Sequence, residues 1–237
     1  MPGKLTIVPT PVGNLEDITF RAVRALGECG FILAEDTRTS ARVMREYGIT
    51  APMVPYHLNN EHKVVDALVE RIAGDPSGAC IVTDAGTPGI SDPGFLLIRA
   101  CIERGVEVSC LPGATAFVPA LVSSGLPCDR FRFEGFLPQK KGRASKLKEA
   151  LEESDVTVIL YESPLRLTRL LEEICDLISP GREVVVAREI SKLHETFHRG
   201  TARQLLDFFT ENPPLGEIVV LVAAAPKKER EHKNKYL

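Results

Sequence analysis

Acidic, basic and hydroxyl side chains gather in short clusters along this chain, each mixed with glycine and proline. The clusters are Pro9-Thr10-Pro11-Val12-Gly13-Asn14, Glu35-Asp36-Thr37-Arg38, Asp84 through Gly94, and Pro112-Gly113-Ala114-Thr115-Ala116. Tyr161-Glu162-Ser163-Pro164 and Arg188-Glu189 with Ser191-Lys192 continue the series. Turns need Gly, Pro and Asn, but they do not need Glu35, Asp36, Arg38, Asp84, Tyr161 or Glu162. Glycines and prolines between Asp84 and Gly94 fix an unusual backbone that can press close to a flat ligand. No G-x-G-x-x-G and no G-x-x-x-x-G-K-[ST] occurs, so the cradle is built for something other than a polyphosphate. Asp36, Asp84 and Asp92 could instead hold magnesium for a hydrolase, since hard cations take oxygen ligands. Asp84 and Asp92 could also serve only to cap turns.

These clusters follow short β-branched runs. Leu5 to Val8, Phe31 to Ala34, Cys80 to Thr83, Val106 to Leu111, Val156 to Leu160, Val184 to Ala187 and Ile218 to Val222 have strand length, and Phe131 through Leu137 adds another. Helix-period stretches lie between them, such as Val64 to Ile72, and Leu165 to Leu177 with Pro164 at the helix start. Alternation of strand and helix predicts an α/β fold with parallel sheets and crossover helices. Ligands of such sheets bind beyond the carboxyl ends of the strands, where the clusters lie. Turn-forming Gly125-Leu126-Pro127 suits a connection, which places a boundary between about Gly113 and Pro127. The expected division is 1–113, 114–226, and a basic tail over 227–237 that lacks apolar periodicity and is expected to be disordered.

The composition narrows the class. A chain of 237 residues with 44% hydrophobic and 26% charged residues can bury a real core. No run approaches the roughly 18 apolar residues of a membrane span, and the first residues lead into a strand without a signal-peptide core, so a cytoplasmic protein with no membrane contact is expected. The six cysteines are scattered with no C-x-x-C pair, which suggests reduced thiols rather than a zinc or redox motif. A net charge of -3 argues against coating nucleic acid by bulk electrostatics. Basic charge still clusters at Lys140, Lys141, Arg143, Lys146 and Lys148, readable as phosphate contacts or as solvated helix surface. His57, His62, His194 and His198 read as polar surface, and no metal is expected.

The ordered strings resemble one known family. Ile7 to Leu15, Glu35-Asp36-Thr37-Arg38, Asp84-Ala85-Gly86-Thr87-Pro88 with Asp92-Pro93-Gly94, and Leu111-Pro112-Gly113 are similar to the ribosomal RNA small subunit methyltransferase I branch of the tetrapyrrole methylases. Asp129-Arg130-Phe131, Glu134-Gly135-Phe136-Leu137-Pro138, Tyr161-Glu162-Ser163, Arg188-Glu189 with Lys192, Glu195-Thr196 and Gly216-Glu217 continue the resemblance in order, from about Leu5 to Ala223. The branch generally carries a further helical segment after this point, which this sequence lacks.

The resemblance implies two small α/β domains with S-adenosylmethionine in the cleft between them, and a homodimer. It also implies methylation of the 2′-hydroxyl of a cytidine in 16S ribosomal RNA, free or within the assembled 30S subunit. Cofactor contacts carry over to Pro9, Asp84, Gly86, Thr87, Ile90, Asp92, Thr115, Ala116, Tyr161, Glu162 and Glu217. A ribose hydroxyl is a poor nucleophile until a base or cation assists it, and Asp36, Glu189, Lys192 and Glu195 are the candidates. Arg38 and Arg188 can clamp flanking phosphates, with Lys140, Lys141 and Arg143 as further RNA contacts. The competing reading is an ion-pair network of Glu35, Asp36, Glu189 and Glu195 with Arg38, Arg188 and Lys192. A second reading keeps the cofactor and changes the acceptor to a tetrapyrrole carbon.

Overall fold

The computed structural model describes residues 3–152 and 154–226, and the chain divides between Ala116 and Phe117 into two compact units. The tail over 227–237 lies outside the described residues.

In the first unit, strands β1 (Lys4–Ile7), β2 (Phe31–Ala34), β3 (Met53–Pro55), β4 (Ala79–Val82) and β5 (Glu107–Cys110) form one sheet. Their order is β3-β2-β4-β1-β5, and every pairing is parallel. Side chains alternate across each strand, so both faces can be buried only if helices cover both. Leu5, Ile7, Phe31, Leu33 and Ile81 pack with Leu68, Ile72 and Leu97 of α3 (Glu61–Gly74) and α4 (Phe95–Glu103). On the other face Val8, Ile32, Ala34, Cys80 and Val82 meet Ala22, Leu26, Val43 and Met44 of α1 (Phe20–Glu28) and α2 (Thr37–Glu46).

The order of strands locates the ligand edge. From β1 the chain crosses to β2 on one side, whereas from β4 it crosses to β5 on the other, and β1 and β4 are neighbours. Connections that part in this way leave a crevice outside the carboxyl ends of the two strands. The loops leaving those two strands are Pro9 to Asn14 and Asp84 to Gly94.

The second unit holds α5 (Phe117–Ser124), β6 (Phe131–Phe136), α6 (Arg143–Leu151), β7 (Thr157–Glu162), α7 (Leu167–Leu177), β8 (Glu183–Arg188), β9 (Thr196–Thr201), α8 (Ala202–Glu211) and β10 (Ile218–Val222). Its sheet runs β6-β7-β10-β8-β9, and only the β6–β7 pair is parallel. The expected parallel sheet is therefore corrected here to a mixed one. The run Ile218-Val219-Val220-Leu221-Val222 is buried throughout, as a central strand requires, and such a run does not reveal its direction. One face of the sheet packs on α6, α7 and α8 through Leu147, Leu170, Leu171, Leu205 and Phe209, while α5 lies against β8 and β10. A capping box of Thr201 and Gln204 starts α8.

Reversal of β9 and β10 has a consequence for the site. Ile218 pairs with both Glu162 and Arg188, and Arg188 pairs with Thr196. The entrances of β9 and β10 thus share one edge with the exits of β7 and β8. Glu195 and Glu217, which precede strands, join Tyr161, Glu162, Arg188 and Glu189, which end or follow them.

Candidate functional site

At the carboxyl edge of the first sheet the exits of β1, β4 and β5 are laced together. Thr10 and Gly86 exchange backbone hydrogen bonds, each 2.9 Å, and the buried Thr10 hydroxyl donates to the Thr83 carbonyl at 3.0 Å. The Thr87 hydroxyl donates to the Ala114 carbonyl at 3.0 Å and lies 2.8 Å from the Thr115 hydroxyl. A side chain at Gly113 would put its Cβ 2.7 Å from Cβ of Pro9, so only glycine lets these exits approach. Ser91 adopts φ 65° within the Asp84–Gly94 loop, a left-handed conformation that a non-glycine residue holds only when its surroundings impose it.

Three carboxylates converge on this edge. Burial raises the pKa of Glu35, with the Asp84 charge adding to it, and partial desolvation raises Asp84 even though its side chain reaches solvent. Burial, reinforced by Glu35, pushes Asp92 up to about 7. Asp36 behaves differently: it caps α2, and its carboxylate accepts from Arg38 N at 2.8 Å, Nε at 3.0 Å and Nη2 at 2.7 Å. Those hydrogen bonds hold it down to about 2, which makes Asp36 a weak proton acceptor. Asp36 N in turn donates to Asp84 Oδ1 at 3.3 Å. Among the described residues no group of three His, Cys, Asp or Glu side chains is arranged to hold a metal ion.

Asp92 makes stability depend on pH in a definite direction. Its folded pKa lies above the unfolded value, so its contribution is complete below about pH 4 and is lost as pH rises through about 7. Asp92→Asn, uncharged throughout, is expected to melt above the wild type at pH 8, by roughly 2–4 °C per kcal/mol released, with the gap closing toward pH 4. Parallel melting curves across that range would reject the buried setting assigned to Asp92.

At the matching edge of the second sheet, Glu189 and Ser191 hold φ of 54° and 63°. Glu189 Oε1 accepts from Lys192 Nζ at 2.8 Å and from Glu217 N at 2.9 Å, and Glu189 N donates to the Glu217 carbonyl at 2.9 Å. Gly216, at φ 89°, leaves room for this carboxylate, since a Cβ there would fall 2.2 Å from Glu189 Oε1. Lys192 Nζ also meets Glu217 Oε2 at 3.2 Å. Burial opposes the charge on Lys192, but the Glu189 hydrogen bond and the Glu217 carboxylate outweigh it and raise the lysine's pKa. Glu195 accepts from Ser191 N at 2.7 Å. Arg188 donates to the Thr196 hydroxyl at 3.2 Å and to the Leu215 carbonyl at 3.2 Å.

Two assignments made from sequence need correction. Arg143, expected on an RNA surface, is 2% exposed, and its guanidinium meets Glu162 Oε2 at 2.9 Å and Glu173 Oε2 at 2.8 Å. It is an internal cation that ties α6 to β7 and α7. Glu162, expected to touch the cofactor, is buried with its carboxylate taken by Arg143, by Arg166 Nε at 2.6 Å and by Ser163 N at 2.8 Å. Neighbouring Tyr161 keeps a half-buried place, packed edge-on to Phe133 and Phe136. Lys140 and Lys141 are exposed, as are Ile90 and Asp84, while Pro9 and Gly86 are buried and Thr87, Thr115 and Ala116 partly so. His198, expected on the surface, is partly buried, with its ring tilted against Phe208 and edge-on to Phe209, and burial lowers its pKa. Glu35, which the sequence shows only as the neighbour of Asp36 after a strand, follows β2 directly and joins the carboxylate cluster.

Comparison with known proteins gives a consistent set of similarities. The family described as Tetrapyrrole (Corrin/Porphyrin) Methylases matches residues 4–206. A protein of Synechocystis sp. named ribosomal RNA small subunit methyltransferase I is 44% identical over 228 residues, covering 96% of this chain and 81% of that protein. Its namesake in Thermotoga maritima is 42% identical over 221 residues, with 93% of this chain and 98% of that one covered. Among solved structures, diphthine synthase superposes with a TM-score of 0.69 at 14% identity, covering 92% of this chain and 89% of that one. Uroporphyrin-III C-methyltransferase from Thermus thermophilus, complexed with S-adenyl homocysteine, gives 0.63 at 18% identity, with 92% and 97% covered. At these identities the structural likeness establishes the fold.

Proposed function

Since the chain belongs to the tetrapyrrole methylases, and within them to the ribosomal RNA small subunit methyltransferase I family, we propose that it transfers a methyl group from S-adenosylmethionine to small-subunit ribosomal RNA. The acceptor in this reading is the ribose 2′-hydroxyl of a cytidine, in free 16S RNA or in the 30S subunit. The protein works in the cytoplasm as a homodimer, and no described helix is long and apolar enough to cross a membrane.

The observation that carries the donor assignment is the carboxylate cluster of Glu35, Asp84 and Asp92. Burial and mutual repulsion raise these groups, an effect that a cationic ligand seated among them would relieve. S-adenosylmethionine supplies an electrophilic methyl on a sulfonium, beside an ammonium group. The laced backbone of Pro9, Gly86, Thr87, Thr115 and Ala116 offers the flat, close-approach surface that an adenosine needs. Ile90 contributes an exposed apolar side chain from the same loop.

Displacement at the methyl carbon needs positioning above all. Lys192, kept as an ammonium by Glu189 and Glu217, is suited to orient the attacking hydroxyl and to steady the charge that develops on its oxygen. It is unsuited to take the proton, and so is Asp36. Glu217, 68% exposed and hydrogen-bonded less heavily than Glu189, is the better-placed acceptor, with Glu195 beside it along the same edge. Arg38, Arg188, Lys140 and Lys141 remain the assigned phosphate contacts.

Asp84→Ala is expected to weaken S-adenosylmethionine binding about tenfold or more while leaving the fold intact, since it removes one charge-assisted partner. Calorimetry checks this, and ordinary affinity in the variant would remove Asp84 from the donor site. Incubation with methyl-labelled donor and either 30S subunits or uroporphyrinogen identifies the acceptor. Label in the tetrapyrrole and none in the RNA would replace the ribosomal reading.

A further inference from the structure

Away from both edges, the first unit carries a groove of about 300 Å³ beside β1, on the face of the sheet covered by α1, lined by Lys4, Thr6, Arg21, Arg24, Glu28 and Ser109 together with neighbouring residues. Its size falls at the small end of ligand sites. Its charge is lopsided, three cations against Glu28, and Lys4, Arg21 and Arg24 form no ion pair among the described residues. Thr6 is 5% exposed as a residue and lines the groove, and its hydroxyl, which makes no hydrogen bond to another described residue, is left open to it. Unopposed guanidinium groups around such a hydroxyl are the donor set that a phosphate takes.

One more side chain distinguishes among phosphates. Phe20 is 92% exposed and lies one turn before Arg24 on the same stripe of α1. An exposed ring beside a cationic groove is how single-stranded RNA is held, with bases stacked on the aromatic and phosphates on the arginines. We propose that this groove binds a phosphate group, and that the phosphate is a backbone unit of the RNA strand, docked on the first unit outside the methyl-transfer site. The phosphate chemistry stands on the groove alone; its source rests on the RNA reading above.

The test uses the full chain and the double variant Arg21→Gln/Arg24→Gln, both on the surface of α1. Filter binding of a small-subunit RNA fragment across a salt series is expected to show about tenfold weaker binding by the variant and a salt slope reduced by about two. Phe20→Ala is expected to weaken RNA binding while leaving the binding of inorganic phosphate, followed by calorimetry, unchanged. Thr6→Val is expected to weaken both. Phosphate binding that the double variant loses, with RNA binding unaltered, would overturn the RNA source and assign the groove to a small phosphorylated ligand. Wild-type RNA affinity and slope in the variant, with no phosphate binding by either protein, would overturn the site itself. Calorimetry with S-adenosylmethionine separates this from the proposed activity. Donor binding is expected to be equal in the wild type and the double variant, and its absence from both would count against the methyltransferase reading and not against the groove.

Discussion

Arg143→Met is expected to lose about 3 kcal/mol or more of stability, read as a lower urea midpoint, because it strips the cation from a buried ion pair. Arg143 and Glu162 have side chains 2% and 1% exposed, so the carboxylate left behind cannot recover its hydration. Arg166 and Ser163 N still hold Glu162, which keeps the loss short of complete unfolding. Pairing the change with Glu162→Leu is expected to restore part of the stability, since an apolar pair avoids the desolvation that the lone carboxylate suffers. Exposed Lys140 and Lys141, three and two residues earlier, are expected to change stability by less than about 0.5 kcal/mol when replaced by alanine. An Arg143 variant with unaltered stability and weakened RNA binding would reverse this assignment and return the residue to the RNA surface.

Lys192→Met is expected to lower methylation of the ribosomal substrate by about 10²-fold or more, the scale on which a single charge-stabilising donor acts. Donor affinity is expected to stay within a few-fold of the wild type, as the lysine faces the proposed acceptor. Because Glu189 and Glu217 hold its proton, no inflection from Lys192 is expected in the pH–rate profile between about 6 and 9. An inflection there that disappears in the variant would make Lys192 the base. Undiminished turnover would move the role to another group along the same edge.

The strands that the sequence made legible are those with unbroken β-branched runs: Leu5 to Val8, Phe31 to Ala34, Cys80 to Thr83 and Ile218 to Val222. Two were not legible, for different reasons. β3 is three residues long and ends in Pro55, so it has neither the length nor the alternation that marks a strand. β9 reads Thr-Phe-His-Arg-Gly-Thr, a partly exposed edge whose polar residues carry no clean period of two. Strand direction was hidden for the reason already seen in β10: burial on both faces selects the same residues whichever way the chain runs.

Within the site, the positions of the clusters were readable because turn chemistry alone cannot account for carboxylates and arginines after strands. Their individual roles were less readable. Whether Arg143 meets water or Glu162 depends on which face of α6 it occupies, and a cluster of basic residues does not tell that. Likewise Asp36 and Asp84 look alike as letters, yet one caps a helix against its own arginine while the other receives an amide from across the sheet edge. Only the three-dimensional setting separates a depressed carboxyl from a raised one.

The late arrival of β10 bears on how the protein is made. All five strands of the first sheet lie within residues 4–110, so that unit can close while the rest of the chain is still being translated. The second sheet takes its middle member from 218–222, and until those residues leave the ribosome β7 and β8 expose unpaired edges to one another and to other nascent chains. A stalled or shortened product lacking this stretch would therefore pair a sound amino-terminal half with an open, adhesive one, the kind of species that chaperones must shield.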